Sequence, residues 1–210
     1  MSLINQIVTG ASQDRLEKLI EERLKPGADK EAIDRRIWSL FGEEWAVMYT
    51  DLSGFSRKVA EFGIIHFLQT IAESSRLFVP CINGHDGILL KTEGDSMMVI
   101  FRSPVSAIEC AVEMQAAARR YDADRSEEEK VLLCVGIGFG RVLKIGDHDV
   151  FGAEVNAASK LGEDTAKAWE ILVTDSVKSA VAGRPDFAFE PIDTVPPGAK
   201  AAHRLLYRQA

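Results

Sequence analysis

The chain has 210 residues, 46% of them hydrophobic and 27% charged, with a formal charge of −7; this is the profile of a soluble globular protein, one medium domain plus an appendage. The negative balance argues against nucleic-acid binding through a broad basic surface, but not against a small anionic ligand held by a local cluster of cations or by metal. No apolar run approaches the roughly 20 residues of a membrane span and no signal-peptide pattern is present. Cys81, Cys110 and Cys134 lie in apolar stretches with no CxxC and no zinc-ligand spacing to a His, so buried free thiols in a reducing, cytoplasmic compartment are expected.

In chain order, QDRLEKLIEERLK places Leu16, Leu19, Ile20 and Leu24 on one helical face, and Pro26-Gly27 stops it. Asp29 or a neighbour caps a second helix with Ile33, Ile37, Leu40 and Phe41 on one stripe, and Gly42 ends it. This helical hairpin forms a leader over residues 1–44; it either covers the domain's own core or serves as a dimerising or input-coupling element. Trp38 and Trp45 are expected to anchor it. AVMYT then reads as a strand, and Phe55 to about Phe78 as mostly helical. NGHDG (83–87) is turn-rich, and ILLKTEGDSMMVIF is a hairpin around Gly94-Asp95. Pro104 opens a helix to about Tyr121, followed by the charged loop DADRSEEEK. VLLCVGIGFGRVLKI is a long strand region whose glycines are expected to bend or bulge it. GAEVNAASKLGED reads as a helix, EILVT as a strand and DSVKSAVA as a short helix, with closing strands near 187–189 and 204–207. Interleaved strands and helices give an α/β or α+β sandwich, with helices packed on a sheet.

Two acidic residues stand where strands end, Asp51 after the first core strand and Asp95 in the hairpin turn. Alone, Asp51 reads as a helix N-cap and Asp95 as a turn residue. If their strands are neighbours, both carboxylates project from one edge. They then repel unless a cation or a proton intervenes. Oxygen ligands suit Mg²⁺ or Mn²⁺, and the LSGFS turn can offer backbone N–H groups to phosphate at a helix start. His66 and His148 read as packed or surface residues.

Taken together, the motifs resemble the class III nucleotidyl cyclase (adenylate/guanylate cyclase) catalytic domain over roughly residues 45 to 180. Asp51-Leu52-Ser53-Gly54-Phe55 matches D-x-x-G-F, Lys91-Thr92-Glu93-Gly94-Asp95 matches K-x-x-G-D, and Asp149 precedes Val155-Asn156 and Lys160 in a partial match to D…V-N-x-x-x-R. The resemblance implies a ferredoxin-like, palm-type βαββαβ core, with helices packed on a mostly antiparallel sheet, spanning 45–210. It implies Asp51, Asp95 and the Leu52 carbonyl as ligands of two Mg²⁺ or Mn²⁺ ions. It also implies Ser53, Gly54, Phe55, Lys91 and Asp149 as substrate-binding residues, and Asn156 and Lys160 as catalytic residues that orient the ribose and stabilise α-phosphate charge. With a donor at Lys91 and an acceptor at Asp149, ATP is the expected substrate, converted to 3′,5′-cyclic AMP and pyrophosphate. Family sites form between two subunits, so a homodimer is implied.

The chain departs from the pattern in three places. Lys160 stands where the family has arginine, losing the planar two-pronged guanidinium. Few residues separate Val142-Leu143 from Asp149, where many members have a longer dimerising arm. Near the C-terminus a lysine before glycine is replaced by Pro197-Gly198, with Lys200 as a substitute. A catalytically weak or inactive nucleotide-binding, regulatory domain is therefore the alternative. No GGDEF-like run is present, which sets diguanylate cyclases aside.

Overall fold

The computed structural model describes residues 10–54 and 61–208. Its first two helices, α1 (Ala11–Leu24) and α2 (Lys30–Phe41), meet at Pro26-Gly27, where Gly27 takes φ 74°. Asp29 caps α2, its Oδ1 accepting from the Ala32 N–H at 3.0 Å. Arg23 to Asp34 (2.6 Å) and Arg36 to Glu22 (2.7 Å) clamp the hairpin from the outside. Its inside is a small cluster of Leu19, Ile33, Ile37 and Phe41 around Ile145. The expected stripe is narrower than its sequence pattern: Leu24 is 77% exposed and Leu40 55%. The hairpin sits over one end of the sheet, and that contact leaves these two apolar residues uncovered.

Eight strands follow: β1 (Gly42–Leu52), β2 (Ile88–Glu93), β3 (Ser96–Phe101), β4 (Leu133–Ile145), β5 (Asp149–Phe151), β6 (Ile171–Thr174), β7 (Ala188–Ile192) and β8 (Ala202–Leu206). They form one sheet in the order β2-β3-β1-β4-β6-β8-β7, with β5 paired to the far end of β4. The β4–β6 pair is parallel and the other pairs are antiparallel. Between them lie α3 (Ile64–Gly84), α4 (Pro104–Asp122), α5 (Ala153–Ser159), a π-helical turn (Lys160–Thr165) and α6 (Asp175–Ala180). The run β1-α3-β2-β3-α4-β4 is the expected palm-type βαββαβ core. Residues 55–60, including Phe55, lie outside the described residues, so the start of the helix expected from Phe55 does too. The closing strands are shifted by a few residues from the expected positions.

Strand alternation divides the side chains between two faces. On one, Ala46, Met48, Met97, Val99, Leu133, Val135 and Ile137 pack with Phe78, Ile108 and Met114 of α3 and α4 into the main core. On the other, Trp45, Val47, Met98, Ile100 and Val142 pack with Val150 and Val155. Trp45 thus anchors the sheet rather than the hairpin, while Trp38 lies under the Arg141 guanidinium, 4.7 Å from its centroid.

The glycines of β4 put no bulge into its pairing with β1. β4 pairs with β1 in unbroken register from Leu133 to Leu143. Gly136, Gly138 and Gly140 instead leave room for the following helix. A Cβ at Gly136 would lie 2.2 Å from the Ala158 carbonyl oxygen, and one at Gly138 2.3 Å from that of Glu154. Glu154, in the first turn of α5, completes the attachment by accepting from the Phe139 N–H (3.1 Å), Thr174 Oγ1 (2.7 Å) and Ser176 Oγ (2.8 Å).

Candidate active site

Asp51 is the next-to-last residue of β1 and shares the parity of Val47 and Tyr49, which places it on the sheet face that carries α5. Asp95 sits in the β2–β3 turn beside Gly94, whose φ of 61° suits a residue without a Cβ. Because β3 is hydrogen-bonded to β1, that turn comes down beside the end of β1. The two carboxyl groups are within hydrogen-bonding reach of each other, and the Leu52 N–H is directed at both. Ser96 Oγ donates to Asp51 Oδ1 at 3.5 Å. Burial raises the pKa of Asp51, and burial together with the Asp51 charge pushes Asp95 up to about 7. Burial and mutual repulsion therefore favour a shared proton, or else a cation, over two bare charges. Two half-buried carboxylates with an adjacent backbone carbonyl, open to solvent oxygen, form the donor set that Mg²⁺ or Mn²⁺ takes. Among the described residues no His, Cys or third acid completes an all-protein metal cage.

The turn after Asp51 is less free than its composition suggests. The Ser53 N–H donates to the Leu132 carbonyl at 2.8 Å, which leaves Gly54 (φ 77°) as the described open end of the turn.

Along the same face, a cavity of about 150 Å³ is lined by Tyr49, Lys91, Glu93, Ser96, Met98, Ser159 and Glu163. Lys91 Nζ donates to Asp149 Oδ2 at 3.1 Å and lies 3.6 Å from Glu93. Residues 58 positions apart thus meet because β5, short as it is, folds back on β4. The Val150 N–H fixes the other Asp149 oxygen at 2.9 Å. Burial, then the charges of Glu163, Asp149 and Glu93, push the Tyr49 hydroxyl up to about 12.

Asn156 and Lys160 are brought to neither cluster within one chain. Both are exposed, and Lys160 is ion-paired with Asp164 across the π-helical turn. The expected single helix over 152–164 therefore changes type at Lys160. There Gly162 is pressed against the sheet, and a Cβ on it would come 2.7 Å from the Tyr49 carbonyl oxygen. Lys200 is exposed, in the loop whose Gly198 packs on Ala153. Sequence reasoning missed Tyr49, which strand alternation from Asp51 could have found, and Ser96 and Met98, of which Met98 lies opposite Tyr49 in the β1–β3 pairing. It also missed Glu163, which the π-helical turn alone brings in.

With this geometry in place, comparisons define the class. The family model described as the adenylate and guanylate cyclase catalytic domain matches residues 42–204. The chain belongs to that family, the class III nucleotidyl cyclase domains. A Rhizobium meliloti (strain 1021) protein named "Putative adenylate cyclase 3" is 30% identical over 160 residues, covering 76% of this chain and 26% of that protein. The chain thus spans about a quarter of that curated relative. The crystal structure of an adenylate/guanylate cyclase/hydrolase from Silicibacter pomeroyi superposes with a TM-score of 0.67 at 24% identity, covering 80% of this chain and 98% of that one. A guanylate cyclase domain from Catenaria anguillulae, solved with GTP, gives 0.65 at 16% identity over 80% and 98%. At these identities the two structures speak to the fold. Among the described residues no helix is long and apolar enough to cross a membrane.

Proposed function

We propose that this domain is an adenylate cyclase, a phosphorus–oxygen lyase that forms 3′,5′-cyclic AMP and pyrophosphate from ATP at the interface of a homodimer. The observation that carries the choice of base is the Lys91–Asp149 pair, 3.1 Å apart beside an open cavity. Adenine presents an acceptor at N1 and a donor at N6, which a lysine donor and a carboxylate acceptor complement. Guanine presents the reverse at those edges.

The Asp51–Asp95 pair and the Leu52 carbonyl would hold two Mg²⁺ or Mn²⁺ ions, which lower the pKa of the ribose 3′-OH and neutralise triphosphate charge when bound. In the reaction the 3′-hydroxyl loses its proton to solvent, its oxygen attacks the α-phosphorus in line, the bond to the β-phosphate oxygen breaks, and pyrophosphate leaves with the electron pair. Asn156 orients the ribose, and Lys160 supplies positive charge to the α-phosphate oxygens as charge builds there. Both project from the outer side of their own chain. They serve a site whose aspartates belong to a second copy, and two-fold symmetry then makes two equivalent sites. Gly54 faces the triphosphate in this arrangement, with Ser53 tying the turn to Leu132 just ahead of β4, and Phe55 lies outside the described residues. The reading assigns catalysis to 45–210 with the hairpin as its leader, and places the protein in the cytoplasm, where three free cysteines stay reduced.

Incubating the chain with ATP and Mn²⁺ at high protein concentration should yield cyclic AMP. Absence of product, with Asp51→Ala indistinguishable from wild type, would overturn the assignment. The Lys160–Asp164 ion pair favours a second reading, a nucleotide-binding domain with little turnover. Replacing Lys160 by arginine separates the two: a large rise in turnover marks a weakened enzyme, and no change marks the binding domain.

A further inference from the structure

A further cavity lies away from the site just described. About 510 Å³ in volume, it is bounded by Arg119 at the end of α4, Trp169 and Glu170 ahead of β6, and Arg204, Leu206 and Tyr207 at the end of β8. Its two arginines differ in their commitments. Arg204 is held by Glu170 at 2.8 Å and by Glu190. Arg119 has no carboxylate partner among the described residues. It stacks over the Trp169 indole, 4.4 Å from the centroid. Its Nε is buried and finds no acceptor, and the same holds for Arg204 Nε. Arg204 has its carboxylates, whereas the Arg119 charge is left without an anion among the described residues.

The aromatic wall is built at a cost to the backbone. Trp169 takes φ 70°, a left-handed conformation that bulky residues avoid. It is fixed there by its N–H donating to the Leu133 carbonyl at 2.8 Å and by its own carbonyl accepting from Tyr207 Oη at 2.6 Å. The strained backbone holds the indole against the Arg119 guanidinium, a cation that no carboxylate among the described residues neutralises.

From these features we infer a second ligand site, which binds a small monocarboxylate with a flat apolar body between Arg119 and the Trp169–Leu206–Tyr207 wall. A carboxylate fits better than a phosphate. The guanidinium fork matches two coplanar oxygens, and a dianion would need a second free cation, whereas Arg204 is already neutralised by two glutamates. The flat body covers the apolar surface of Trp169 and Leu206, which an inorganic ion leaves wet. The site does not depend on the cyclase assignment, since it shares no side chain with the cavity beside Lys91.

The probe is benzoate, titrated into the full chain and followed by calorimetry and by the Trp169 indole N–H resonance, identified by its loss in Trp169→Phe. Saturable binding in the millimolar range is expected of so small a ligand. Binding should weaken at least about tenfold in Arg119→Gln and less in Arg119→Lys, which keeps the charge but not the fork. Benzyl alcohol and inorganic phosphate should each bind at least about tenfold more weakly than benzoate. Because Arg119→Lys preserves the charge, it tests the site even if Arg119→Gln unfolds. Non-saturable benzoate shifts, benzoate affinity unchanged by either substitution, or phosphate binding as tightly as benzoate would overturn the inference.

Discussion

At the scale of single residues, Asp51 and Asp95 tie the chemistry to stability. The Asp95 pKa is 3.8 in an unperturbed carboxyl and about 7 in the fold. Below the lower value folded and unfolded chains are both protonated. Between the two values only the folded chain holds the proton, so the contribution falls as pH rises and is gone above about 7. In the absence of divalent ions, wild type should lose on the order of 1 kcal/mol between about pH 5 and pH 8, the carboxyls being only half-buried. That corresponds to about 2–4 °C in Tm. Asp95→Asn should flatten the profile, and millimolar Mn²⁺ should restore the wild-type Tm at the alkaline end. A thermal melt series in EDTA and in Mn²⁺ checks both, and equal slopes in the two proteins would contradict the shared-proton account. Lys160 is the second residue-scale test. It is exposed and paired with Asp164, so freeing or replacing it should not affect folding. Lys160→Arg should raise kcat about tenfold with little change in KM, as expected where an interaction is made mainly in the transition state. Steady-state assays of cyclic AMP formation measure the split.

At the scale of elements, the join of β4 to α5 makes demands that differ sharply from glycine to glycine. Gly136→Ala would drive a methyl into the Ala158 carbonyl and should destabilise by about 3 kcal/mol. Gly183→Ala meets nothing within 4 Å and should stay within about 0.5 kcal/mol. Urea unfolding of the two variants gives the comparison. The same join shows how far the sequence could be read. Strand positions, the hairpin around Gly94-Asp95 and the helix from Pro104 were legible because alternation and turn chemistry are local signals. The meeting of Lys91 with Asp149 was legible only through motif resemblance, since no local pattern pairs residues 58 apart. The purpose of the β4 glycines was misread, because close approach of a helix and local bending leave the same mark in a sequence. The π-helical turn at Lys160 left no mark of its own. It follows from Gly162 settling against the Tyr49 carbonyl, a tertiary contact.

At the scale of the whole molecule, one chain holds both halves of the proposed site without joining them: its aspartates form one half, and the base-reading pair with Asn156 and Lys160 forms the half that serves the other copy. If function requires two copies, Asp51→Ala and Asn156→Ala should each be inactive alone. Mixed in equal amounts, they should recover about a quarter of the wild-type rate, because half the dimers are mixed and each carries one intact site. Sedimentation at the assay concentration establishes that the mixture is dimeric. The backbone-to-backbone seam between β4 and α5 then limits how such a molecule could be controlled. With no side chains between them at Gly136 and Gly138, the helix cannot roll or slide on its strand as a Leu-packed helix can. Asn156 is therefore fixed relative to Tyr49 and Asp51 of its own chain. Activation and silencing are left to changes in how one rigid subunit is set against another, and amide exchange in α5 should be the same in both states.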